Sequence, residues 1–511
     1  MSSSTTTAAV AGAVPTSRSS RSTRTVPAQS APGVTAAAAC TAASSSAPEV
    51  HLLRRATFGP SPDSLADVTA RGRSAWLESQ LAPSTIDDRV CDELVARFPM
   101  AAWSPETTVA KLSVGSWDGM FHLGRATLAR QVWSRRQLLE VMVGFWSDHL
   151  HVTSPSSDVW YCRADYDRTV IRPHALGSFS DMLVASARHP AMLRYLDNAS
   201  STASAPNENY GRELLELHTV GVDGGYTERD VVDCARLFTG LSVDWATGAR
   251  LYRRRNHHTG AVRILGWSTA AHSSSAGEQL QQDFLRWLAV QPATARSLAR
   301  KLAVRFVSDD PPAALVDALA ATYVKNGTQI APVLRQLFSS SAFAAGAGLK
   351  TKRPLEDLVS TLRVLGIGCG AGTQAVEQLY WMVQGRGHAP FAWGPPNGYP
   401  DVAPAWASTA GSVGAWNHHA ELLNGWWPRG LVTPAAAALL PAQRPGTVGQ
   451  LVDALAQRLL QQPLSAVERD ALVAFTGRPS GSPLTAQDDL LGWRLGSLAT
   501  LVLNTPTYAS R

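Results

Sequence analysis

A charged stretch at residues 207–240, NENYGRELLELHTVGVDGGYTERDVVDCARLFTG, contains the side-chain types that acid–base chemistry needs. If a helix begins near Asn207, then Glu208, Arg212 and Glu216 are spaced four residues apart and share one face. Apolar residues are mixed among these charges instead of forming a stripe of their own, which indicates a polar group enclosed by the structure. We therefore expect Arg212 to lie between the two glutamates in an enclosed network.

This cluster could serve a reaction or the fold. In an active site, Glu216 or Glu213 would act as the general base, and Arg212 would orient a carboxylate or bind an anionic group of the substrate. In a structural network, the same charges would hold the helix against its neighbours, since perturbed charge clusters also occur without catalysis. The residues alone leave both interpretations open.

Histidines supply a second candidate chemistry. FWSDHLHV contains Asp148, His149 and His151 near the end of an apolar helix, and NHHTG contains His257. Side chains two residues apart on a helix point in different directions, so only one imidazole of the H-x-H pair could face a common site. Histidines and carboxylates bind zinc, iron or manganese, although no continuous motif such as H-E-x-x-H is present. The expected metal ligands are His149, His218 and His257, and His218 or His257 could instead act as the general acid.

Four segments are expected to form one polar pocket. They are the helix and turn at 207–230, the helix end at 146–151, the turn at 256–260 and the loop at 391–401. The last belongs to QGRGHAPFAWGPPNGYPDVAPAW, whose consecutive prolines predict an ordered loop of the kind that forms the wall of a site. Its aromatic residues could stack on the sugar rings of a glycan or pack within the fold, and they are Trp393, Tyr399 and Trp406.

Apolar residues at spacings of three and four predict helices along most of the chain after residue 48. Period-two alternation is scarce, and only ARLYRRR and AVRILG, on either side of NHHTG, predict a short β-hairpin. The pair Gly224–Gly225 predicts a turn with positive φ, followed by a helix that Thr227 caps. The expected fold is mainly α, a single large multi-helical domain over residues 49–511 with this hairpin and long ordered loops.

Residues 1–48 consist mostly of serine, threonine, alanine and proline, with almost no apolar side chains to bury, and so predict a disordered tail. Small residues before Cys40 resemble a lipoprotein cleavage site only faintly, because no apolar core of adequate strength precedes them. The residues themselves therefore give no support for export.

Composition narrows the function classes. Hydrophobic residues make up 45% and charged residues 17% of the chain, which is typical of a globular protein, and no apolar run is long enough to cross a bilayer. The net charge of +6 is modest and the only compact basic run is Arg253–Arg255, so we expect no nucleic-acid partner. The five cysteines form no C-x-x-C pair, which predicts buried single thiols. No serine-hydrolase elbow, P-loop or dinucleotide-binding glycine pattern is present.

Longer stretches, among them HLLRRATFGP, ARHPAMLRYLDN, NENYGRELLELHTVGVDGGYTERDV and PPNGYPDVAPAW, resemble the bacterial family known as domain of unknown function 1800. The similarity extends from about His51 almost to the C-terminus. The resemblance implies one helical domain and no established reaction. It also implies an envelope or extracytoplasmic role, because members often carry export signals and are encoded beside a sulfatase-like protein, which becomes a candidate partner.

This chain departs from the family pattern at two places. The aromatic–histidine stretch of the family usually reads Trp-His-x-His, and here Trp146 and His149 match it while Ser147 replaces the first histidine. His257 also matches, but His258 follows it where an aspartate is usual. Either these positions are structural and tolerant, or this member has lost or changed an activity.

The candidate catalytic residues also follow the family pattern, because Glu216, His218 and Tyr226 match it. The first hypothesis is therefore a hydrolase with a buried Glu/Arg/His polar site, assisted by a divalent transition metal. Its substrate would be a small molecule or glycan of the envelope or the extracellular space. The alternative is a non-catalytic envelope or assembly protein whose charged cluster is structural.

Overall fold

Polar residues that cap helices begin many of the elements in the computed structural model, which describes residues 47–511. Ser61, Thr227 and Ser465 each begin a helix with a capping box, in which the first residue and the residue three positions later satisfy each other's free backbone groups. The cap predicted at Thr227 is thus confirmed. Helices dominate the described residues, as the apolar periodicity predicts.

The α-helices fall into four groups along the chain. The first comprises α1 (Pro48–Ala56), α2 (Pro62–Arg71), α3 (Arg73–Leu81), α4 (Arg89–Val95), α5 (Pro105–Lys111), α6 (Asp118–Trp133) and α7 (Gln137–His149). The second comprises α8 (Arg163–Tyr166), α9 (Arg172–His174), α10 (Phe179–Arg188), α11 (Pro190–Tyr195), α12 (Glu208–Glu213) and α13 (Glu228–Leu237). The third comprises α14 (Gly277–Ala289), α15 (Pro292–Phe306), α16 (Ala313–Lys325), α17 (Ile330–Ser339), α18 (Ser341–Ala345), α19 (Pro354–Leu365) and α20 (Gln374–Gly385). The fourth comprises α21 (Thr409–Leu423), α22 (Val448–Leu459), α23 (Ala466–Phe475), α24 (Leu495–Leu503) and α25 (Pro506–Ala509).

Shorter helical segments connect or extend these helices. Two π segments occur in the described part of the chain, at Asp167–Ile171 between α8 and α9 and at Leu214–His218 directly after α12. Single 3-10 turns are found at Pro83–Thr85, Pro99–Ala102, Asn198–Ser200, Arg254–Asn256, Ala403–Ala405, Ala436–Leu439 and Asp489–Leu491. The π segment after α12 lies inside the charged stretch and changes the direction of the side chains that follow it.

Strands pair in antiparallel couples only, in the part of the chain that the structure describes. The couples are β1 (Leu241–Val243) with β2 (Arg250–Tyr252), β3 (Val262–Ile264) with β4 (Trp267–Thr269), and β5 (Gly368–Cys369) with β6 (Leu431–Val432). The hairpin predicted across NHHTG is wrong, because β2 and β3 flank that turn but do not pair with each other. Instead, Leu265 and Gly266 both have positive φ and close β3 tightly onto β4, which is the geometry that two-residue hairpin loops favour.

The core centres on α19, whose twelve residues are all buried. A helix that is enclosed on every side must pair its polar residues internally, and α19 does so with neighbouring arginines and a histidine. It packs against α6, α20 and α21. This arrangement places the N-terminal end of α19, with its charged residues, beside the end of α15.

The turn after the charged stretch behaves partly as predicted. Gly225 has a φ of +76°, a conformation that favours glycine, whereas Gly224 does not have positive φ. Gly224 is needed for a different reason, since a Cβ atom there would overlap the side chain of Val220. The two glycines therefore serve one backbone conformation and one close contact.

Two further predictions concern the N-terminal tail and the cysteines. The predicted tail and Cys40 lie outside the described residues, apart from the last positions of the tail, where Pro48 already begins α1. The other four cysteines are free thiols, of which three are buried as expected and Cys369 is half-buried.

Within residues 47–511, no helix combines the length and the apolar character needed to cross a membrane.

Candidate functional site

A cleft of about 670 Å³ opens where α7 ends, between the π segment after α12, one face of α15 and the loop at 397–401. Three of the four segments expected to form the pocket line this cleft, and the turn at 256–260 does not. Its volume is within the range that accommodates a small organic ligand. Apolar side chains such as Phe145 and Val220 alternate with charged ones around it.

Helix α15 contributes the largest share of the cleft wall. Its residues at spacings of three and four form one continuous face there, as a straight α-helix requires, and they are Ala293, Arg296, Ser297, Arg300, Lys301, Val304 and Arg305. Four of the seven are basic. The run ARSLARKLAVRF contains this pattern, so a basic stripe on α15 is visible in the sequence.

The end of the π segment leaves two backbone carbonyls free to accept hydrogen bonds. Helix ends always leave carbonyls without a partner inside the helix, and here the acceptors are Leu217 and His218. The Nζ atom of Lys301 donates to the Leu217 carbonyl at 2.8 Å. The Nε2 atom of His149 lies 3.0 Å from the His218 carbonyl. The irregular helix end therefore fixes two side chains of the cleft.

These contacts define the protonation of His149. A carbonyl only accepts, so the ring proton of neutral His149 is on Nε2, and Nδ1 is left to accept from Lys301 at 3.0 Å. Burial, followed by the nearby Lys301 ammonium, lowers the pKa of His149 well below its ordinary value. His149 is thus a neutral support for Lys301.

Among the residues that the structure describes, Lys301 is the cation lining the cleft that has no carboxylate partner. Its two hydrogen-bond partners within residues 47–511 are the neutral His149 ring and the Leu217 carbonyl. Burial lowers the pKa of Lys301 to about 8, because nothing anionic nearby offsets the loss of hydration. An ammonium in this setting can bind an anion or give up a proton near neutral pH.

Asp148, the residue before His149, is a carboxylate of the same cleft whose pKa is raised, whereas that of Lys301 is lowered. Burial raises its pKa to about 6, against the opposing effects of Arg353 and of the Tyr399 backbone N–H. The Arg353 guanidinium lies 3.4 Å from Oδ2 of Asp148. The Asp148 side chain is 24% exposed and lines the cleft. Between pH 6 and pH 8, Asp148 is therefore a base and Lys301 an acid on the walls of the same cleft.

Charged groups beneath the cleft pair with one another. Arg353 and Arg511 approach the Glu356 carboxylate at 3.1 Å and 3.0 Å, and Arg305 contacts it as well. Burial alone would raise the pKa of Glu356, but the three guanidiniums hold it well below its usual range. Buried ion groups of this kind fix a fold, so this network serves as the support beneath the cleft.

The loop at 397–401 reaches the end of α7 through a glycine. Gly398 has a φ of +68°, and a Cβ atom there would lie 2.1 Å from the Asp148 carbonyl oxygen. No other residue could approach the helix end so closely without displacing it. The ring of Tyr399 lines the cleft and lies 5.2 Å from that of Trp393, whereas Trp406 stacks on His388 and does not line the cleft.

The carboxylates predicted from the charged stretch are separated by the structure. Glu216 lines the cleft, and the hydroxyl of Tyr226 donates to its Oε2 atom at 2.9 Å. Glu213 is half-buried but does not line the cleft, and burial, together with Glu216, raises its pKa. Of the predicted bases, Glu216 is thus the one that a ligand in the cleft could contact.

The enclosed network predicted around Arg212 is wrong. Its guanidinium pairs with Glu228 of α13 at 2.6 Å, whereas Glu208 lies farther away, at 4.0 Å. The Arg212 and Glu228 side chains are 36% and 75% exposed. The cause is the π segment, which begins at Leu214 and removes Glu216 from the regular helical spacing. Arg212 therefore forms a surface ion pair and does not reach the cleft.

The structure brings two of the three predicted metal ligands together and separates the third. The ring centroids of His149 and His218 lie 6.4 Å apart. His218 is 1% exposed, and burial lowers its pKa to about 3, while its ring does not line the cleft. His257 instead contacts Thr239 and His272. Across residues 47–511, no group of three histidine, cysteine, aspartate or glutamate side chains is arranged to hold a metal ion.

The positions that depart from the family pattern lie outside the cleft. Ser147 is buried, and its carbonyl lies 3.2 Å from a ring nitrogen of His151. The other ring nitrogen of His151 lies 2.7 Å from the Trp393 carbonyl, so this histidine supports the loop. Only His149 of the H-x-H pair lines the cleft, as the helical geometry of the pair predicts.

A comparison with protein-family models identifies a match over nearly the whole chain. The family model described as "Protein of unknown function (DUF1800)" matches residues 51–510. Neither the curated proteins nor the solved structures contain a match to this chain.

Proposed function

The chain belongs to the DUF1800 family, whose description names no activity, and we propose that it is a hydrolase. The cleft is the proposed active site. The proposed substrate is a small molecule with an apolar body and an anionic group, joined through an ester. The apolar lining and the basic face of α15 match these two parts of the substrate. A deep, mostly apolar cleft with a few convergent polar groups is the usual form of such a site.

One observation carries this proposal, the unpaired ammonium of Lys301 on the cleft wall. The other cations that line the cleft have carboxylate partners, as Arg305 and Arg353 do with Glu356. Leaving an ammonium partly buried without a counter-charge costs stability, so its position is understood if it serves a ligand or a reaction. Its neighbours, a neutral imidazole and a carbonyl, orient it and do not neutralise it.

The proposed reaction uses the opposite protonation states of the two groups. The Asp148 carboxylate removes a proton from a water molecule, and the water oxygen forms a bond to the carbonyl carbon of the ester. The bond between that carbon and the alcohol oxygen then breaks, and the alcohol takes a proton from Lys301. Asp148 releases its proton and Lys301 regains one from solvent, which restores both groups. This pairing requires the carboxylate to be ionised and the amine protonated, as they are between pH 6 and pH 8.

Glu216 stays in the proposal as the second carboxylate of the cleft. The Tyr226 hydroxyl bonds to it and orients it, so it could replace Asp148 as the base. Arg300 lies on the same face of α15 as Lys301 and is 59% exposed, which suits it to hold the anionic group of the substrate. Arg212, Glu213 and Tyr226 do not line the cleft, and of the three only Tyr226 bonds to a side chain that does.

The family resemblance adds a setting to this reaction. An envelope or extracellular substrate, either a glycan ester or a smaller molecule, remains the proposed source, and a sulfatase-like protein encoded nearby remains the proposed partner. The ring of Tyr399 is the aromatic surface that a sugar in the cleft could contact.

The alternative of a non-catalytic envelope or assembly protein rests on a different observation. Arg305, Arg353 and Arg511 all pair with Glu356, so a large part of the buried charge has a structural partner. In that case Lys301 would only support the helix end through the Leu217 carbonyl. Activity that depends on the cleft residues distinguishes the two functions.

The test is hydrolysis of chromogenic 4-nitrophenyl esters, with and without a carboxylate on the acyl part, by the full chain and four variants. Lys301→Met and Asp148→Asn should each reduce kcat by at least about a hundredfold, as removal of a general acid or base does. Glu216→Gln decides which carboxylate is the base. Lys325→Met is the matched control, because Lys325 is an exposed lysine at the end of α16. Hydrolysis that persists unchanged in Lys301→Met and Asp148→Asn contradicts the proposal.

A further inference from the structure

Outside the cleft, two imidazole rings meet in an arrangement that the neutral rings cannot satisfy. The Nε2 atoms of His257 and His272 lie 2.9 Å apart. His257 follows the 3-10 turn Arg254–Asn256, and His272 lies in the loop between β4 and α14. Neither residue lines the cleft, so this pair needs an explanation of its own.

Backbone carbonyls fix the proton on each ring. The Nδ1 atom of His257 is 2.9 Å from the Thr239 carbonyl, and that of His272 is 3.1 Å from the Ala270 carbonyl. Because a carbonyl can only accept, each Nδ1 carries the single proton of its neutral ring. Both Nε2 atoms then present lone pairs to each other, and two lone pairs at hydrogen-bond distance repel unless a cation lies between them.

This pattern is the one that metal-binding histidines show. A histidine that binds a metal through one ring nitrogen almost always donates the other N–H to a carbonyl or carboxylate, which fixes the tautomer and the ring orientation. His257 and His272 both have that support, from the carbonyls of Thr239 and Ala270. Their free nitrogens converge on one point, although they are fifteen residues apart in the chain.

The start of α14 packs directly against this point, and a glycine makes that close packing possible. Gly277, the first residue of α14, has no side chain, and a Cβ atom there would lie 2.2 Å from Nε2 of His257 and 2.3 Å from the Tyr252 hydroxyl. Any other residue at 277 would therefore fill the space beside the pair. The Tyr252 hydroxyl, which borders the same space, donates to the Ser274 carbonyl at 3.0 Å.

We propose that His257 and His272 are the two protein ligands of a site for a transition-metal dication of the zinc class, with solvent completing the coordination. Imidazole nitrogen suits Zn²⁺, Cu²⁺ and Ni²⁺. Zinc–nitrogen bonds of about 2.0–2.1 Å in a tetrahedron separate two nitrogens by roughly 3.3 Å, so the pair must widen by a few tenths of an ångström. His272 is half-buried in a loop and can make that adjustment.

The inference is independent of the proposed hydrolase, and its test uses ZnCl₂ as the probe. Calorimetric titration of the full chain should show one site that His272→Ala weakens at least tenfold. His174→Ala is the matched control, because Nδ1 of His174 also lies near a carbonyl, that of Val170 at 2.7 Å, but His174 has no imidazole partner within residues 47–511. Melting curves without metal should be alike for the parent and both variants, since His272 and His174 are partly exposed.

Two results would overturn this site. The first is a parent protein that binds no zinc at one equivalent, which would leave only a proton to bridge the two rings. The second is zinc binding of the same strength and stoichiometry in the parent, His272→Ala and His174→Ala, which would assign the ion to the surface at large. Loss of binding in His272→Ala alone, with its melting curve unchanged, supports the pair as the ligand set.

Discussion

The Nζ atom of Lys301 lies 3.0 Å from Nδ1 of His149, and this contact links the basic face of α15 to the end of α7. Because the opposite ring nitrogen donates to the His218 carbonyl, His149 can accept from Lys301 and cannot itself take up a second proton without breaking a contact. The ammonium is thereby oriented without being neutralised. A cation held in this way remains available to a ligand in the cleft.

The first prediction concerns stability against pH in Lys301→Met. In the folded protein the pKa of Lys301 is about 8, below its ordinary value of 10.5. The folded state therefore favours the neutral amine, and the contribution of this group to the free energy of unfolding of the parent is highest above pH 10.5. This contribution is lost as the pH falls from 10.5 through 8. We expect the variant to be at least as stable as the parent at pH 7. The difference in free energy of unfolding between the variant and the parent should fall by roughly 2–3 kcal/mol between pH 8 and pH 10.5.

Urea unfolding of the parent and of Lys301→Met at pH 7, 9 and 10 measures this difference. Comparison of the two proteins at each pH cancels the groups that titrate alike in both. A variant that is less stable than the parent at pH 7, by the same amount at every pH, would show that Lys301 mainly stabilises the helix end.

A second prediction concerns the glycine of the cleft loop. In Gly398→Ala the new Cβ atom would overlap the Asp148 carbonyl, and a φ of +68° is unfavourable for alanine, so the loop should move away from α7. Hydrolysis should fall by at least about tenfold, since small displacements of catalytic groups are costly. Gly394→Ala is the matched control in the same loop, because nothing lies within 4 Å of its Cβ position. Equal activity in the two variants would remove this loop from the site.

A third prediction separates buried from exposed charge. Arg353→Met leaves Asp148 and Glu356 each without one partner in a buried network, which should cost about 3 kcal/mol or more in the free energy of unfolding. Arg212→Met removes only the surface pair with Glu228 and should melt close to the parent. Thermal and urea unfolding of both variants check this order. A large loss of stability in Arg212→Met would restore the enclosed network that the sequence predicts.

The helical fold is readable from the sequence because apolar spacing and capping residues act locally. Thr227 caps α13 as its sequence position predicts, and apolar spacing locates most of the helices. The hairpins are not readable in the same way, since Leu265 and Gly266 form their turn without the usual asparagine or aspartate. Which strands pair depends on the turn that connects them. Because this short turn has an unusual composition, the sequence does not predict that β3 pairs with β4.

The site is less readable than the fold for a similar reason. The prediction that Arg212 and Glu216 share one face assumes a regular helix. The π segment that interrupts this helix has no clear sequence pattern. Lys301 looks like an ordinary residue of an amphipathic helix until tertiary packing places it against His149. The metal prediction selects His257 for its residue type, but its partner His272 becomes evident only when both carbonyl contacts are known.

The most direct test of the central claim is the pH dependence of ester hydrolysis by the parent, Asp148→Asn and Lys301→Met. The parent rate should rise as Asp148 loses its proton near pH 6 and fall as Lys301 loses its proton near pH 8. Residual activity should lack the acid limb in Asp148→Asn and the alkaline limb in Lys301→Met. A parent profile that is flat from pH 5.5 to about pH 9, or one that both variants leave unchanged, would contradict an active site built on these two residues.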